Sequence, residues 1–206
     1  MHPFALSWDG RFRPDTAMSE AAPLERIKWR VADFHKMVET GVLSEDDRVE
    51  LIDGEIVRMA PIGRDHAWTV NQLAATFVLT LRDRAYVSIQ NPLVLTGQDE
   101  LQPDLMLLRA PGAAYRDRLP QPADVLLLVE VADSTSKRDV EVKRPLYARA
   151  AIPEVWIFDL SRGRLLVSLE PRADGSYGET RELMRGDVAS PAAFRDVQLH
   201  LSELLR

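Results

Sequence analysis

The sequence predicts an α/β domain in which helices pack on a mixed β-sheet. Its 206 residues favour one domain with a tail over two domains. The predicted elements follow the order αββαββββαβββ, which is typical of a mixed sheet flanked by helices. The segment ADVLLLVEVA, residues 123–132, is apolar on both faces, as expected for a strand in the centre of that sheet.

The composition narrows the classes of function. The formal net charge is −6, with 32 acidic and 26 basic residues, which argues against a polycation that coats nucleic acid. A nucleic-acid enzyme is compatible with this charge, because a carboxylate-rich site brings its own metal cations. The lack of cysteine excludes disulfides, thiolate zinc sites and thiol nucleophiles. The sequence has no apolar run near the roughly 20 residues of a membrane span and no signal-peptide pattern, so we expect a cytoplasmic protein.

The first half of the chain divides into a tail, two helices and a hairpin. Residues Met1–Pro23 lack periodicity and predict a flexible tail, so the domain is expected over residues 24–206. Apolar residues at three- and four-residue spacing predict helices over Leu24–Glu39, with Gly41 as the stop, and over His66–Leu81. Between them, VELIDGEIVRM predicts a hairpin that turns at Asp53-Gly54.

The second half is predicted as strands around one helix. YVSIQNPLVL, interrupted at Asn91-Pro92, is followed by the strands DLMLLR and ADVLLLVEVA. A helix is expected over Asp139–Ala150, with Pro145 either inside it or at its first turn. EVWIFDL, RLLVSLE and the region after Tyr177 are further strands, and a short tail helix is predicted over Leu199–Leu204.

Two acidic residues lie at the ends of strongly apolar strands. Asp104 begins DLMLL and Glu130 closes DVLLLVE. If these strands form an antiparallel hairpin across the loop 110–122, their pairing centres on residue 117 and the two carboxylates become neighbours. Like charges at that distance need a cation, and Mg²⁺ takes one or two carboxylates together with waters. The two acids together favour a metal site, whereas either alone would equally fit a loop cap or an arginine pair.

Glu50 is a third acidic candidate. It belongs to the hairpin arm ELI, close to Asp53 and Glu55. On the sequence pattern alone, the preferred interpretation is a solvated hairpin acid beside Arg48.

Lys143 is the candidate basic residue. Asp139, Lys143 and Tyr147 are spaced four apart and share one face of the predicted helix, which would let Lys143 reach Glu130. The simpler alternative is an ordinary ion pair between Lys143 and Asp139, worth a few tenths of a kcal/mol. Lys137 competes for the same role from the loop.

These residues, in this order, resemble a known nuclease superfamily. Pro103-Asp104, then Glu130, then a lysine is similar to the PD-(D/E)XK pattern, whose shared core is that of restriction endonucleases. Four segments resemble one of its branches, the Uma-type restriction endonuclease family, densely from Trp29 to Leu160: RVELIDGEIVRMAPIGRDH, SIQNPLVL, LQPDLMLL and ADVLLLVEVADSTSKRDVEVKRPLYARAAIPEVWIFDL. The resemblance implies a restriction-endonuclease-like core.

The resemblance also implies a set of metal-binding residues. They are Glu50, Asp104, Glu130 and the main-chain carbonyl of Val131. Mg²⁺ would be the cofactor, and Mn²⁺ would substitute for it.

The catalytic lysine implied by the resemblance is Lys143, with Gln90 as a polar accessory in the adjacent strand. Without the resemblance, Gln90 is better explained as an edge-strand amide. The superfamily commonly carries its lysine two residues after the acid, a position occupied here by Ala132. Lys143 would therefore supply this group from the following helix.

The implied function is that of a DNA endonuclease that hydrolyses phosphodiester bonds, expected as a homodimer because two strands must be cut. Two alternatives stay open: a catalytically silent nuclease fold used for binding or regulation, and a metal-dependent RNA phosphodiesterase. Eight basic residues have two possible interpretations, a DNA-binding rim around the site or charges scattered over the surface. They are Arg64, Arg82, Arg84, Arg116, Arg118, Lys137, Arg138 and Arg144.

The four histidines share no close spacing, so a histidine metal site is not expected. For His66, near the start of the second helix, a surface or cap role is preferred over lining the DNA groove.

Overall fold

The computed structural model describes residues 26–44, 46–133 and 136–205. The tail predicted over residues 1–23 lies outside the described residues. Helix α1 spans Val31–Glu39 and α2 spans Arg64–Leu81. A third helical segment, α3, is built from an α-helical turn at Ser136–Arg138, a π-helical turn at Asp139–Lys143 and α-helix at Arg144–Arg149. No described helix is both long and apolar enough to cross a membrane.

The described residues form twelve strands. These are β1 Val49–Ile52, β2 Glu55–Arg58, β3 Ala85–Ile89, β4 Leu93–Thr96, β5 Asp99–Leu101, β6 Leu105–Arg109, β7 Val125–Ala132, β8 Glu154–Asp159, β9 Arg164–Pro171, β10 Tyr177–Met184, β11 Val188–Ala189 and β12 Leu199–His200.

A six-stranded mixed sheet forms the centre of the fold, with the strand order β10-β9-β8-β7-β6-β3. Strands β7 and β8 are parallel and every other pair in the sheet is antiparallel. A smaller antiparallel sheet has the order β2-β1-β5-β4, and β11 pairs with β12. The α/β class, with a mixed sheet flanked by helices, is confirmed.

The two faces of the large sheet bury different elements because side chains alternate along each strand. On one face, Leu127 and Val129 of β7 pack with the apolar side of α2 and with residues near the carboxyl terminus. On the other face, Leu128 and Ala132 pack with Tyr147 of α3 and with the small sheet. Strand β7 is thus buried on both faces, as its unbroken apolar run predicts. Glu130 lies on the α3 face, two residues after Leu128.

The predicted helix over Leu24–Glu39 is wrong in its first part, because α1 begins only at Val31. The preceding residues run along the hairpin of β1 and β2: the Trp29 N–H donates to the Gly54 carbonyl at 2.9 Å. Ile27 is 78% exposed, so it does not belong to a buried helical face. Gly41, in the left-handed region at φ 75°, ends α1 as predicted.

The predicted tail helix over Leu199–Leu204 is also wrong. Leu199 and His200 form β12, and only a 3₁₀ turn at Leu201–Glu203 follows. Strands β5 and β11, of three and two residues, are not predicted because such short runs carry no periodic signal. Helix α3 continues through Pro145, which follows the π-helical turn.

The turn of the first hairpin generates a test of local packing. Gly54 has φ 68°, and a Cβ there would lie 2.8 Å from the Lys28 Cβ and 3.0 Å from the Trp29 carbonyl oxygen. We expect Gly54→Ala to lower the free energy of unfolding by more than about 1 kcal/mol, through backbone strain and displacement of residues 28–29. Urea denaturation measures this change.

Gly97→Ala is the matched control, since a Cβ at Gly97 meets nothing within 4 Å. We expect it to change the free energy of unfolding by less than about 0.5 kcal/mol. Equal losses in the two variants would contradict the packing explanation.

Candidate active site

Asp104 and Glu130 are neighbours at one end of the large sheet. Strands β6 and β7 pair antiparallel, with Leu105 opposite Val129, which places Asp104 across from Glu130. The predicted pairing around residue 117 is confirmed at this end of the hairpin. The Val131 N–H donates to Asp104 Oδ2 at 2.8 Å, so this carboxylate is fixed against β7. Both acids are buried.

Glu50 comes to the same place from the small sheet. It lies in β1, is 1% exposed, and its Oε1 accepts the main-chain N–H of Gln102 at 2.9 Å. Its Oε2 is buried and has no hydrogen-bond partner. The sequence pattern alone favours a solvated hairpin acid, and that interpretation is wrong because β5 and α3 cover this side of the hairpin.

Lys143 is buried between these carboxylates. Its Nζ lies 2.9 Å from Glu50 Oε1 and 3.2 Å from Glu130 Oε1. The contact with Asp139, the simpler alternative, is present at 3.9 Å but longer than both. Lys143 closes the π-helical turn of α3, a distortion that often marks functional sites.

Tyr147 completes this buried polar group from the next turn of α3. Its hydroxyl donates to Glu130 Oε1 at 2.5 Å. Burial, together with the charges of Glu130 and Glu50, raises the pKa of the Tyr147 phenol well above its ordinary value. Tyr147 therefore acts as a neutral hydrogen-bond donor to Glu130.

The electrostatics of the site are dominated by buried negative charge. Burial raises the pKa of the Glu130 carboxyl well above its ordinary value; Lys143 opposes this effect, while Asp139, Asp104 and Glu50 add to it. For Lys143, burial alone would lower the pKa of the ammonium group, but the carboxylates outweigh burial and raise it. Lys143 is thus a full cation at neutral pH, shared by several acids.

Gln90 and His66 both contact Asp104. The Gln90 amide nitrogen lies 3.3 Å from Asp104 Oδ1, and His66 Nε2 lies 3.0 Å from the same oxygen. His66 Nδ1 is buried without a hydrogen-bond partner. The surface or cap role expected for His66 does not account for its contact with Asp104. His66 stands on the first turn of α2, 38 residues before Asp104, and no spacing rule joins them.

The main chain of Val131 offers a further oxygen at the site. The N–H and C=O of one strand residue point to the same side of the strand. The Val131 N–H donates to Asp104. We therefore expect the Val131 carbonyl on the same edge of β7, beyond the end of β6.

One small pocket, of about 110 Å³, joins these groups. Its lining includes Glu50, His66, Asp104, Glu130, Val131, Asp139 and Lys143. Arg48 and Arg138 lie at this pocket, with side chains that donate to the carbonyls of Ala60 and Arg58.

Of the basic residues considered as a rim, only Arg138 lines the pocket. Arg84 and Arg118 form bidentate pairs with Asp196 and Asp124.

The donor set fits a hard divalent cation. Glu50, Asp104 and Glu130 present carboxylate oxygens, and Glu50 Oε2 is buried without a partner. Among the described residues, no three or more acids or histidines are placed so that they could together hold a metal ion. Two carboxylates, a main-chain carbonyl and water are nevertheless the kind of ligand set that Mg²⁺ takes.

The charge balance around Lys143 generates a stability prediction. Lys143→Met leaves Glu50, Glu130 and Asp139 buried without their shared cation, so the free energy of unfolding is expected to fall by about 3 kcal/mol at pH 7.

At pH 5 this loss is expected to be smaller. Burial raises the pKa of the Glu130 carboxyl, and the variant lacks the Lys143 charge that opposes this shift. The folded variant therefore takes up more protons than the unfolded state, and its stability falls as pH rises. Urea denaturation at both pH values measures this. A loss that is independent of pH would contradict the explanation by charge.

Comparison with known proteins places the chain in a family. A crystal structure of a "putative nuclease belonging to DUF820" from Anabaena variabilis ATCC 29413 superposes with a TM-score of 0.63, at 14% sequence identity, covering 81% of this chain and 94% of that one. This likeness shows a shared fold. No curated protein sequence matches. The sequence profile of the Uma2 family, described as "Putative restriction endonuclease", matches residues 31–202. The chain therefore belongs to the Uma2 family.

Proposed function

We propose that the chain is a metal-dependent endonuclease that hydrolyses phosphodiester bonds of DNA. One observation carries the proposal: the ammonium group of Lys143 is buried against Glu50 and Glu130, in a pocket that Asp104 also lines. Membership of the Uma2 family supports the same class of activity, as does the fold shared with a protein described as a "putative nuclease".

The proposed cofactor is Mg²⁺, with Mn²⁺ as a substitute. Asp104, Glu130 and the Val131 carbonyl would hold it, with Glu50 as a further ligand. When bound, the cation would polarise the phosphate and lower the pKa of an attacking water.

Lys143 is the proposed catalytic residue of the chain. As a cation at neutral pH, it donates hydrogen bonds and offsets the negative charge that develops on the phosphate oxygens. Its Nζ is held by two carboxylates, and Tyr147 fixes one of them, Glu130, through a hydrogen bond. Lys143 is therefore pre-positioned and needs no large rearrangement to reach a substrate oxygen.

Gln90 and His66 are proposed to position Asp104 rather than to react. Both reach the same carboxylate oxygen, Oδ1, while the Val131 N–H holds the other. These contacts fix the carboxylate plane.

The size of the pocket is consistent with a phosphate group entering it while the bases stay outside. At about 110 Å³ it is far smaller than the 300–1,000 Å³ of sites that enclose whole small molecules. Cutting both strands of a duplex at one position would use two copies of the chain, so we propose a homodimer as the active form.

Plasmid cleavage tests the function. With Mg²⁺ or Mn²⁺ the purified chain is expected to nick or linearise supercoiled DNA, and EDTA is expected to abolish this. Asp104→Asn and Lys143→Met are each expected to reduce the rate at least about a hundredfold, because each removes a group that acts on the transition state. Gel analysis of initial rates gives the measurement.

Lys137→Met is the matched control for the lysine. Its side chain is 85% exposed and pairs with Glu141 at 3.9 Å, so near wild-type cleavage is expected. Equal cleavage by all variants would indicate a contaminating nuclease. No cleavage with any metal would favour a catalytically silent fold, and cleavage of RNA alone would favour a ribonuclease.

Metal binding has a separate readout. Millimolar Mn²⁺ is expected to raise the melting temperature of the wild-type chain, because a ligand that binds only the folded state stabilises it. Asp104→Asn is expected to lose most of this shift, whereas Asp83→Asn, on an exposed 3₁₀ turn, is expected to keep it. An unchanged shift in Asp104→Asn would place the cation elsewhere.

A further inference from the structure

A second cavity, of about 590 Å³, lies beside the candidate active site. It is bordered by α1, the start of β1, β5 and the turn after β3, and it shares Arg48 and Gln102 with the lining of the first pocket. Its volume is within the range of sites that bind small organic groups. We call this cavity the α1 groove.

The α1 groove combines apolar walls with one buried carboxylate. Phe34, Val38, Leu101 and Leu119 contribute apolar surface. The Glu100 side chain is 7% exposed, and its Oε2 lies 2.6 Å from His35 Nε2. A carboxylate has about four lone-pair sites, so Glu100 keeps acceptor capacity beyond the contact with His35.

The charges of the α1 groove disfavour a phosphate. Its lining contains three acidic residues, Glu39, Asp47 and Glu100. The basic residues in the lining are Arg48 and His35. A flat, uncharged ring with N–H donors at its edge fits this lining better, because the ring packs on apolar side chains while its donors meet the carboxylate.

Gln102 lines both cavities and makes hydrogen bonds toward the active site. The main-chain N–H of Gln102 donates to Glu50 Oε1 on the active-site side. The Gln102 side-chain amide donates to the Gln90 carbonyl at 2.6 Å, and the Gln90 side chain reaches Asp104. Because Gln102 lines both cavities, the α1 groove is adjacent to the pocket in which a phosphate is proposed to enter.

We propose that the α1 groove holds an unpaired base of the nucleic-acid substrate beside the reacting phosphate, and that Glu100 selects guanine. Guanine presents two adjacent donors, N1–H and the 2-amino group, which a single carboxylate accepts together. Cytosine and adenine present one amino group, and thymine one ring N–H. This role rests on the proposed nuclease function, but base binding in the groove is measurable without cleavage.

NMR titration of the ¹⁵N-labelled, metal-free chain tests the proposal. Guanosine 5′-monophosphate is expected to shift the amide resonances of Val38 and Leu101, with a dissociation constant about tenfold lower than that of cytidine 5′-monophosphate. Inorganic phosphate is expected to leave these resonances in place. Equal affinity for the two nucleotides, or shifts produced by phosphate alone, would overturn the proposal.

Two variants act on the α1 groove by different means. Glu100→Gln keeps the shape but replaces a carboxylate oxygen by an amide donor, so it is expected to lose the preference for guanine. Val38→Trp fills the groove and is expected to abolish binding of both nucleotides. Their controls are Glu203→Gln, on the carboxyl-terminal 3₁₀ turn, and Val42→Trp, at a residue that is 72% exposed. Retention of the guanine preference in Glu100→Gln would overturn the role of Glu100, and unchanged nucleotide binding in Val38→Trp would place the binding site elsewhere.

Failure of this proposal and failure of the nuclease function give different results. A chain that cleaves DNA with Mg²⁺ but binds guanosine and cytidine monophosphates equally overturns only the base-selecting role of Glu100. A chain that binds guanosine monophosphate in the α1 groove but cleaves no nucleic acid supports the groove and overturns the nuclease.

Discussion

The shared ion pair of Lys143 joins three parts of the chain that are distant in sequence. Glu50 comes from the first hairpin, Glu130 from the central strand β7, and Lys143 from the helix that follows it. None of these groups could be buried alone, because an unpaired charge in the protein interior costs several kcal/mol. A single ammonium group therefore links acids of the small sheet and the large sheet to α3, beside the apolar packing that joins the same three parts.

This arrangement is a poor way to stabilise a protein. Well-packed apolar residues of similar volume often stabilise a fold as well as a buried ion pair or better. The site also contains more acids than Lys143 can neutralise. Burial raises the pKa of the Glu130 carboxyl, and the neighbouring acids Asp139, Asp104 and Glu50 add to that shift. A chain with an ample apolar core has no structural need for such a cluster, which is the physical reason to seek its explanation in chemistry.

Much of the fold follows from local pattern. The apolar run of β7, the Asp53-Gly54 turn and the hairpin of β6 and β7 are all readable because alternation and turn chemistry act within a few residues. The start of α1 is not readable, since residues 26–30 pair with a hairpin over 20 residues away. Glu50, Asp104, Glu130 and Lys143 line one pocket, but pattern alone would have left Glu50 in solvent. The contact between His66 and Asp104 had no local signal at all.

The π-helical turn of α3 makes the site sensitive to chain length as well as to residue type. Such a turn holds one residue more than the α-helical turn it replaces, and the Arg144 N–H closes it on the Asp139 carbonyl. Removing one residue there would restore regular α-helix and rotate everything on one side of it by about 100° relative to the other. The face shared by Lys143 and Tyr147 would then turn by this angle relative to residues 136–138, which follow β7. Insertions and deletions in this segment should therefore be rarer among functional homologues than substitutions on its exposed side.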